Sequence, residues 1–175
     1  VRLVPLTEVS EGDLASPMAG KPFGPPGRIE GTDYAVQFGP LLSKLMSPCI
    51  APPWGELLSV NLETGVTNWR RPLGLLDKLM RMPLPLNWGT PMSGGPIVTD
   101  GGLVFIGATA DERFRALDVD TGAELWVVET PTSSMATPMT YTVDGRQFVV
   151  IASGGHTWLY GSGVEDYLVA YALPE

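Results

Sequence analysis

Apolar and polar residues alternate in short bursts along this chain, separated by Gly, Pro, Asp and Asn. That is the period-two pattern of half-buried β-strands, not the longer period of amphipathic helices. The pattern is sharpest from Glu56 onward. Residues 57–62 predict a strand, Glu63-Thr64-Gly65 a turn and residues 66–70 the returning strand, which Pro72-Leu73-Gly74 ends. Residues 75–82 predict one or two helical turns stopped by Pro83 and Pro85. Residues 95–99 predict a first strand and Asp100-Gly101-Gly102 a turn. Residues 103–108 (LVFIGA) form a continuous apolar run, as in a strand buried on both faces. Residues 113–119 and 124–129 predict the third and fourth strands. A further set follows: 136–142, a hairpin turn at Val143-Asp144-Gly145-Arg146, then 147–152 and 167–173.

One design occurs twice. In RALDVDTGAELW, residues 115–126, a small residue (Ala116) is followed by Thr121-Gly122 and then Trp126. In SVNLETGVTNW, residues 59–69, Ser59, Thr64, Gly65 and Trp69 fall at the same spacings. An internal repeat of this kind marks a modular architecture. Four antiparallel strands in a few tens of residues make one blade of a β-propeller, and a ring needs about 4–8 blades. The expected fold is therefore all-β, with four-stranded antiparallel propeller blades and about two and a half blades of a larger ring present. The last unit lacks a fourth strand and leaves an open edge, which invites pairing with the remaining blades or another chain. Residues 1–56, dense in Pro and Gly (SPMAGKPFGPPGR, SPCIAPPWG), are expected to be a loop-rich segment packing on the propeller blades of 57–175.

The composition narrows the picture. The chain has 175 residues, 21 Gly, 17 Pro and a formal net charge of −8. An acidic balance argues against nucleic acid as a partner. Cys49 is the only cysteine, so no internal disulfide forms. No apolar run is long enough to span a bilayer, and no signal peptide is visible. Val1 is not an initiator Met, so the chain is expected to be processed, excised or a portion of something longer. There is no CxxCH, HExxH, P-loop or dinucleotide fingerprint, and no Ser/His/Asp order suggests hydrolysis. GGPIVTDGG does not lead into a helix, so it is not a phosphate cradle.

The repeat resembles the tryptophan-docking repeat of the eight-bladed quinoprotein dehydrogenases, which carry pyrroloquinoline quinone (PQQ). Residues 52–74, 94–111 (ending ATAD), 136–156 (ending GGH) and 166–174 are similar to the C-terminal part of the membrane-bound glucose/quinate-type members. The resemblance runs from about Tyr34 onward. It implies a periplasmic ring, part of an inner-membrane-anchored enzyme, with PQQ near its axis. It also implies Ca²⁺ (or Mg²⁺) beside PQQ, a sugar, polyol or cyclic hydroxy acid as substrate, and ubiquinone as electron acceptor. The cation ligands and the catalytic aspartate are implied to lie in earlier blades. No catalytic or metal-binding residue is therefore expected in this chain.

Four residues are implied to bind the cofactor: Ser93, Gly94, Asp111 and His156. Ser93 and Gly94 precede the innermost strand of the complete blade, where glycine lets backbone approach a flat ring. Related alcohol dehydrogenases have Trp where Ser93 stands. Asp111 is expected at a pocket rim, orienting a cationic neighbour; the other reading is a solvated turn residue. His156, the only histidine, is either a donor near the quinone or a loop residue bonded to backbone. Trp69 and Trp126 are expected to pack between blades, with Asp118, Thr121 and Gly122 in the same repeat. Trp54 and Trp88 either line a substrate entrance or cap the core. Trp158 and Tyr160 are candidates for substrate selection. The competing class is a non-catalytic propeller scaffold for protein interaction, since outer-membrane assembly propellers share the docking repeat without PQQ.

Overall fold

The computed structural model describes residues 1–10, 26–39, 41, 43, 48–78, 86–156 and 163–173. The chain divides into two compact units, Val1–Cys49 and Ile50–Glu175. The first holds strands β1 (Arg2–Pro5), β2 (Gly27–Arg28) and β3 (Tyr34–Gln37) in the antiparallel order β1-β3-β2. Val4 and Ala35 are paired across β1 and β3 and are both buried. The Pro/Gly-rich segment thus holds short ordered pieces, and they pair into one small sheet.

Among the described residues, the second unit carries three antiparallel sheets and no α-helix. The first sheet pairs β4 (Glu56–Val60) with β5 (Thr67–Pro72). The second has the order β6-β7-β8-β9: Ile97–Val98, Leu103–Ile106, Arg113–Asp118 and Glu124–Glu129. The third has the order β10-β11-β12: Met139–Val143, Arg146–Gly155 and Val164–Ala172. The helical turns expected at 75–82 do not form in the described part: 75–78 is a bend and a turn, and 79–82 lie outside the described residues.

The continuous apolar run of β7 has a direct explanation. Val104 and Ile106 join Leu73, Ala108 and Leu117 in one cluster, against which Leu57 packs from the first sheet. Phe105 faces the opposite way, toward Phe114, Val149 and Ile151 of a second cluster that reaches β11. β7 is covered on both faces, so it is apolar on both.

The repeat is also visible in geometry. Asp118 Oδ1 accepts hydrogen bonds from the backbone N–H groups of Asp120 (3.1 Å) and Thr121 (2.8 Å) and from the Thr121 hydroxyl (2.7 Å). Asn61 Oδ1 accepts from the N–H groups of Glu63 (3.0 Å) and Thr64 (2.9 Å) in the same way. Each turn closes on a left-handed glycine, Gly65 (φ 71°) or Gly122 (φ 70°), which carries no Cβ penalty there. The small residues of the repeat sit directly opposite the tryptophans: Ser59 pairs with Trp69 and Ala116 with Trp126, each beside a register shift.

Each tryptophan reaches toward the next sheet. Trp69 lies over Gly122 and donates its indole N–H to the Val119 carbonyl at 2.8 Å. Trp126 meets Tyr171 of β12 edge-on, with ring centroids 5.2 Å apart and planes at 74°. Burial beside these rings raises the Tyr171 phenol above its ordinary pKa.

An ion pair ties the 75–78 turn to β8. Arg113 donates to both carboxylate oxygens of Asp77, at 3.2 and 2.8 Å. That hydrogen bond, above all, lowers the Asp77 pKa. A lowered carboxylate pKa contributes stability above the ordinary carboxylate range, and the contribution is lost as pH falls through the lowered value. Thermal melts between about pH 6 and about pH 2 should therefore show an acid-limb loss on the order of 1 kcal/mol that Asp77→Asn removes. Identical acid limbs in the two proteins would show that the pair contributes nothing.

Candidate functional site

Antiparallel order sorts the connections to two ends of the sheets. The tight turns 61–66, 99–102, 118–123 and 144–145 lie at one end. At the other lie the segments before β4 and β6, loop 107–112 between β7 and β8, loop 130–138 between β9 and β10, and the segment after β11. Ser93, Gly94, Asp111 and His156 all belong to this second end, so the topology alone gathers them.

Hydrogen bonds knit these loops together. Ser93 N–H donates to the Ala108 carbonyl (3.2 Å), and Ala108 N–H to the Ser134 carbonyl (2.6 Å). Gly155 N–H donates to the Ser133 carbonyl (2.9 Å), and His156 N–H to the Gly163 carbonyl (3.1 Å). Ser153 contributes its hydroxyl to Thr132, accepting from the N–H (3.1 Å) and donating to the carbonyl (2.7 Å). Ala110 N–H donates to the Thr90 hydroxyl at 3.2 Å. The loops approach too closely for side chains at two points. A Cβ on Gly94 would lie 2.4 Å from the Met135 carbonyl oxygen, and one on Gly155 would lie 2.0 Å from that of Gly163.

Within this frame Ser93 and Gly94 are exposed and His156 is half-buried. Asp111 is placed differently from the rim position expected of it: it is fully buried. Its Oδ1 accepts from the Thr109 hydroxyl (2.6 Å) and Arg115 (3.2 Å), and its Oδ2 from the Leu75 N–H (2.8 Å). A second Arg115 nitrogen bonds Oδ2 closely, and Arg113 lies 3.8 Å from the same oxygen. Asp111 does orient cationic neighbours, and it does so from inside. It fixes loop 107–112 and the start of the 73–78 segment at once.

Sequence reasoning missed Arg115, whose side chain is only 4% exposed. A signal was present: Arg115 shares the strand face of Leu117, so it is a charge at a core position. Its remaining N–H reaches Glu124 at 3.2 Å, and Glu124 lies 3.9 Å from Arg71 of β5. The buried hydroxyls Thr90, Thr109, Thr130, Thr132, Ser133 and Ser134 were also missed, because hydroxyl residues in loops carry no periodic signal. Trp158 and Tyr160 lie outside the described residues. Among the described residues, no group of three or more His, Cys, Asp or Glu is placed to hold a metal ion.

Comparison with known proteins gives this arrangement a context. Residues 2–149 match the family model of the β-propeller domain of PQQ glucose/ethanol/alcohol dehydrogenases. The chain is 43% identical over 149 residues to quinoprotein glucose dehydrogenase of Escherichia coli K12, covering 83% of this chain and 19% of that protein. It is 38% identical over 151 residues to the quinate/shikimate dehydrogenase (quinone) of Acinetobacter baylyi, covering 83% of this chain and 18% of that protein. The solved quinohemoprotein alcohol dehydrogenase of Comamonas testosteroni superposes with a TM-score of 0.56 at 25% identity, covering 97% of this chain and 22% of that one. The chain thus spans about a fifth of the length of the proteins it matches. From the docked repeat, the three sheets and these matches, the chain belongs to the β-propeller family of PQQ-dependent glucose, ethanol and alcohol dehydrogenases.

Proposed function

We propose that this chain supplies blades of the ring of a PQQ-dependent dehydrogenase that oxidises a CH–OH group of a sugar, polyol or cyclic hydroxy acid. In this reading the electrons pass to ubiquinone, and the ring stands in the periplasm as part of an inner-membrane-anchored enzyme. The remaining blades complete the ring and bring the catalytic aspartate and the ligands of Ca²⁺ or Mg²⁺. The observation that carries the reading is the convergence of Ser93, Gly94 and His156 on one knitted loop end in a chain of this family.

The residues present suit an oxygen-rich, anionic, planar group. Ser93 and Gly94 offer exposed backbone without bulk, His156 offers a ring that can donate and accept, and Ser133 Oγ is buried with no hydrogen-bond partner among the described residues. PQQ, when bound, supplies the quinone that accepts the electrons of the alcohol. Ser93 and Gly94 would approach it by main chain, and His156 would hold a hydrogen bond or a proton at a ring nitrogen. Asp111 and Arg115 keep loop 107–112 in place beneath them.

The test is reconstitution of the full-length protein with PQQ and Ca²⁺ or Mg²⁺. Dye reduction should follow with at least one of D-glucose, quinate and glycerol. PQQ at about a hundred times its Kd should stabilise the protein by about 2.7 kcal/mol. His156→Asn should weaken PQQ binding about tenfold with the melting temperature of the apoprotein unchanged. No turnover together with no PQQ-induced stabilisation would leave the scaffold reading in its place.

A further inference from the structure

We infer that Trp88, braced by Trp54, is a stacking platform that selects ring-shaped substrates, a pyranose or a cyclic polyol, over open-chain ones. The inference deepens the functional reading above and rests on it. Trp88 is 43% exposed, yet the next residues, Gly89 and Thr90, are buried. Its ring meets that of Trp54 edge-on, with centroids 5.9 Å apart and planes at 88°. Trp54 is fixed in turn: its indole N–H donates to the Ile50 carbonyl (2.8 Å), and its backbone N–H to the carbonyl of Trp88 itself (2.8 Å).

The main chain under Trp88 has no slack. A Cβ on Gly55 would lie 1.9 Å from the Thr90 carbonyl oxygen, and one on Gly89 would lie 2.1 Å from that of Gly55. Thr90 is bonded onward to Leu73 (2.9 Å) and Ala110 (3.2 Å). A large apolar ring is thus held partly in water by a rigid, buried support. It stands on the loop end that carries Ser93 and Gly94, five and six residues along the same segment. Water-facing indole is costly unless something covers it, and the C–H face of a saturated ring suits it. Asn87, exposed beside it, adds an amide that can donate to and accept from ring hydroxyls. Glycerol offers no such flat face.

The experiment uses the full-length PQQ-loaded enzyme and the variants Trp88→Ala and Trp88→Phe. Trp88→Ala should raise KM for D-glucose or quinate about 10–100-fold with kcat nearly unchanged, the signature of lost uniform binding. KM for glycerol should not move, and Trp88→Phe should restore most of the loss. Binding of anhydroglucitol, a pyranose without the reactive anomeric hydroxyl, should weaken in parallel by calorimetry. An unchanged KM and unchanged anhydroglucitol affinity in Trp88→Ala overturn the inference, with or without a lower melting temperature, because the ring then serves packing alone. A wild type that oxidises only glycerol overturns it too. Absence of any PQQ-dependent turnover in the wild type defeats the functional reading and this inference together, and is told apart because it precedes any comparison of variants.

Discussion

Replacing Gly122 by Ala should destabilise the protein by about 2–4 kcal/mol. Two costs add at this position. The backbone is left-handed (φ 70°), which disfavours any Cβ, and a Cβ there would stand 2.7 Å from two ring atoms of Trp69. The indole cannot simply retreat, because its N–H is committed to the Val119 carbonyl. Gly65 is the internal control. It holds the same place in the other copy of the repeat with φ 71°, but nothing lies within 4 Å of its would-be Cβ. Gly65→Ala should therefore cost only the backbone share, about 1–2 kcal/mol. Urea unfolding of both variants measures the difference. Equal losses would mean that Trp69 is not docked on this turn.

Asp111→Ala should cost about 3–5 kcal/mol, because it leaves the Arg115 guanidinium buried without its main counter-charge. Glu124 stays within reach of Arg115 Nε at 3.2 Å, which places the expected loss toward the lower figure. The Leu75 N–H and the Thr109 hydroxyl would lose their acceptor as well. Replacing both members, Asp111→Leu with Arg115→Met, should be milder than the single change, since no bare charge remains. Chemical denaturation gives both values. A single-variant loss below about 1 kcal/mol would show that water reaches the pair and that Asp111 does not set the loop.

Much of the architecture could be read in the residues. Alternation and continuous apolar runs located the strands from β4 to β12, and the repeated Thr-Gly and Trp positions pointed to the docking. The shortfalls have physical causes. β12 starts at Val164, ahead of the expected Tyr167, because Glu165 and Asp166 lie in an exposed strand and give no apolar signal. β11 continues to Gly155 past the expected Ala152, through Ser153 and two glycines, which composition marks as loop. β6 is shorter than its pattern, only Ile97–Val98, since Pro96 has no N–H to give a ladder. Asn61 was overlooked as the counterpart of Asp118 in the other copy of the repeat, because amide and carboxylate differ as letters yet accept the same backbone hydrogen bonds.

At the candidate site, family likeness named the loops, and geometry separated the exposed residues from the enclosed one. Ser93 and Gly94 are exposed and His156 is half-buried. The Asp111 carboxylate is enclosed by Arg115, Thr109 and Leu75. Nothing in ATAD distinguishes an outward acid from an inward one. The decisive partner, Arg115, is close in sequence but belongs to the adjoining strand.

The two ends of the sheets have different freedoms. The rivets sit at one pole: Trp69 on Gly122, and the paired Asn61 and Asp118 turns. The segments that differ most in length, 73–96 against 130–138, sit at the other. Each pole therefore holds neighbouring sheets in its own way: an indole seated on a turn at one, backbone hydrogen bonds between loops of unequal length at the other.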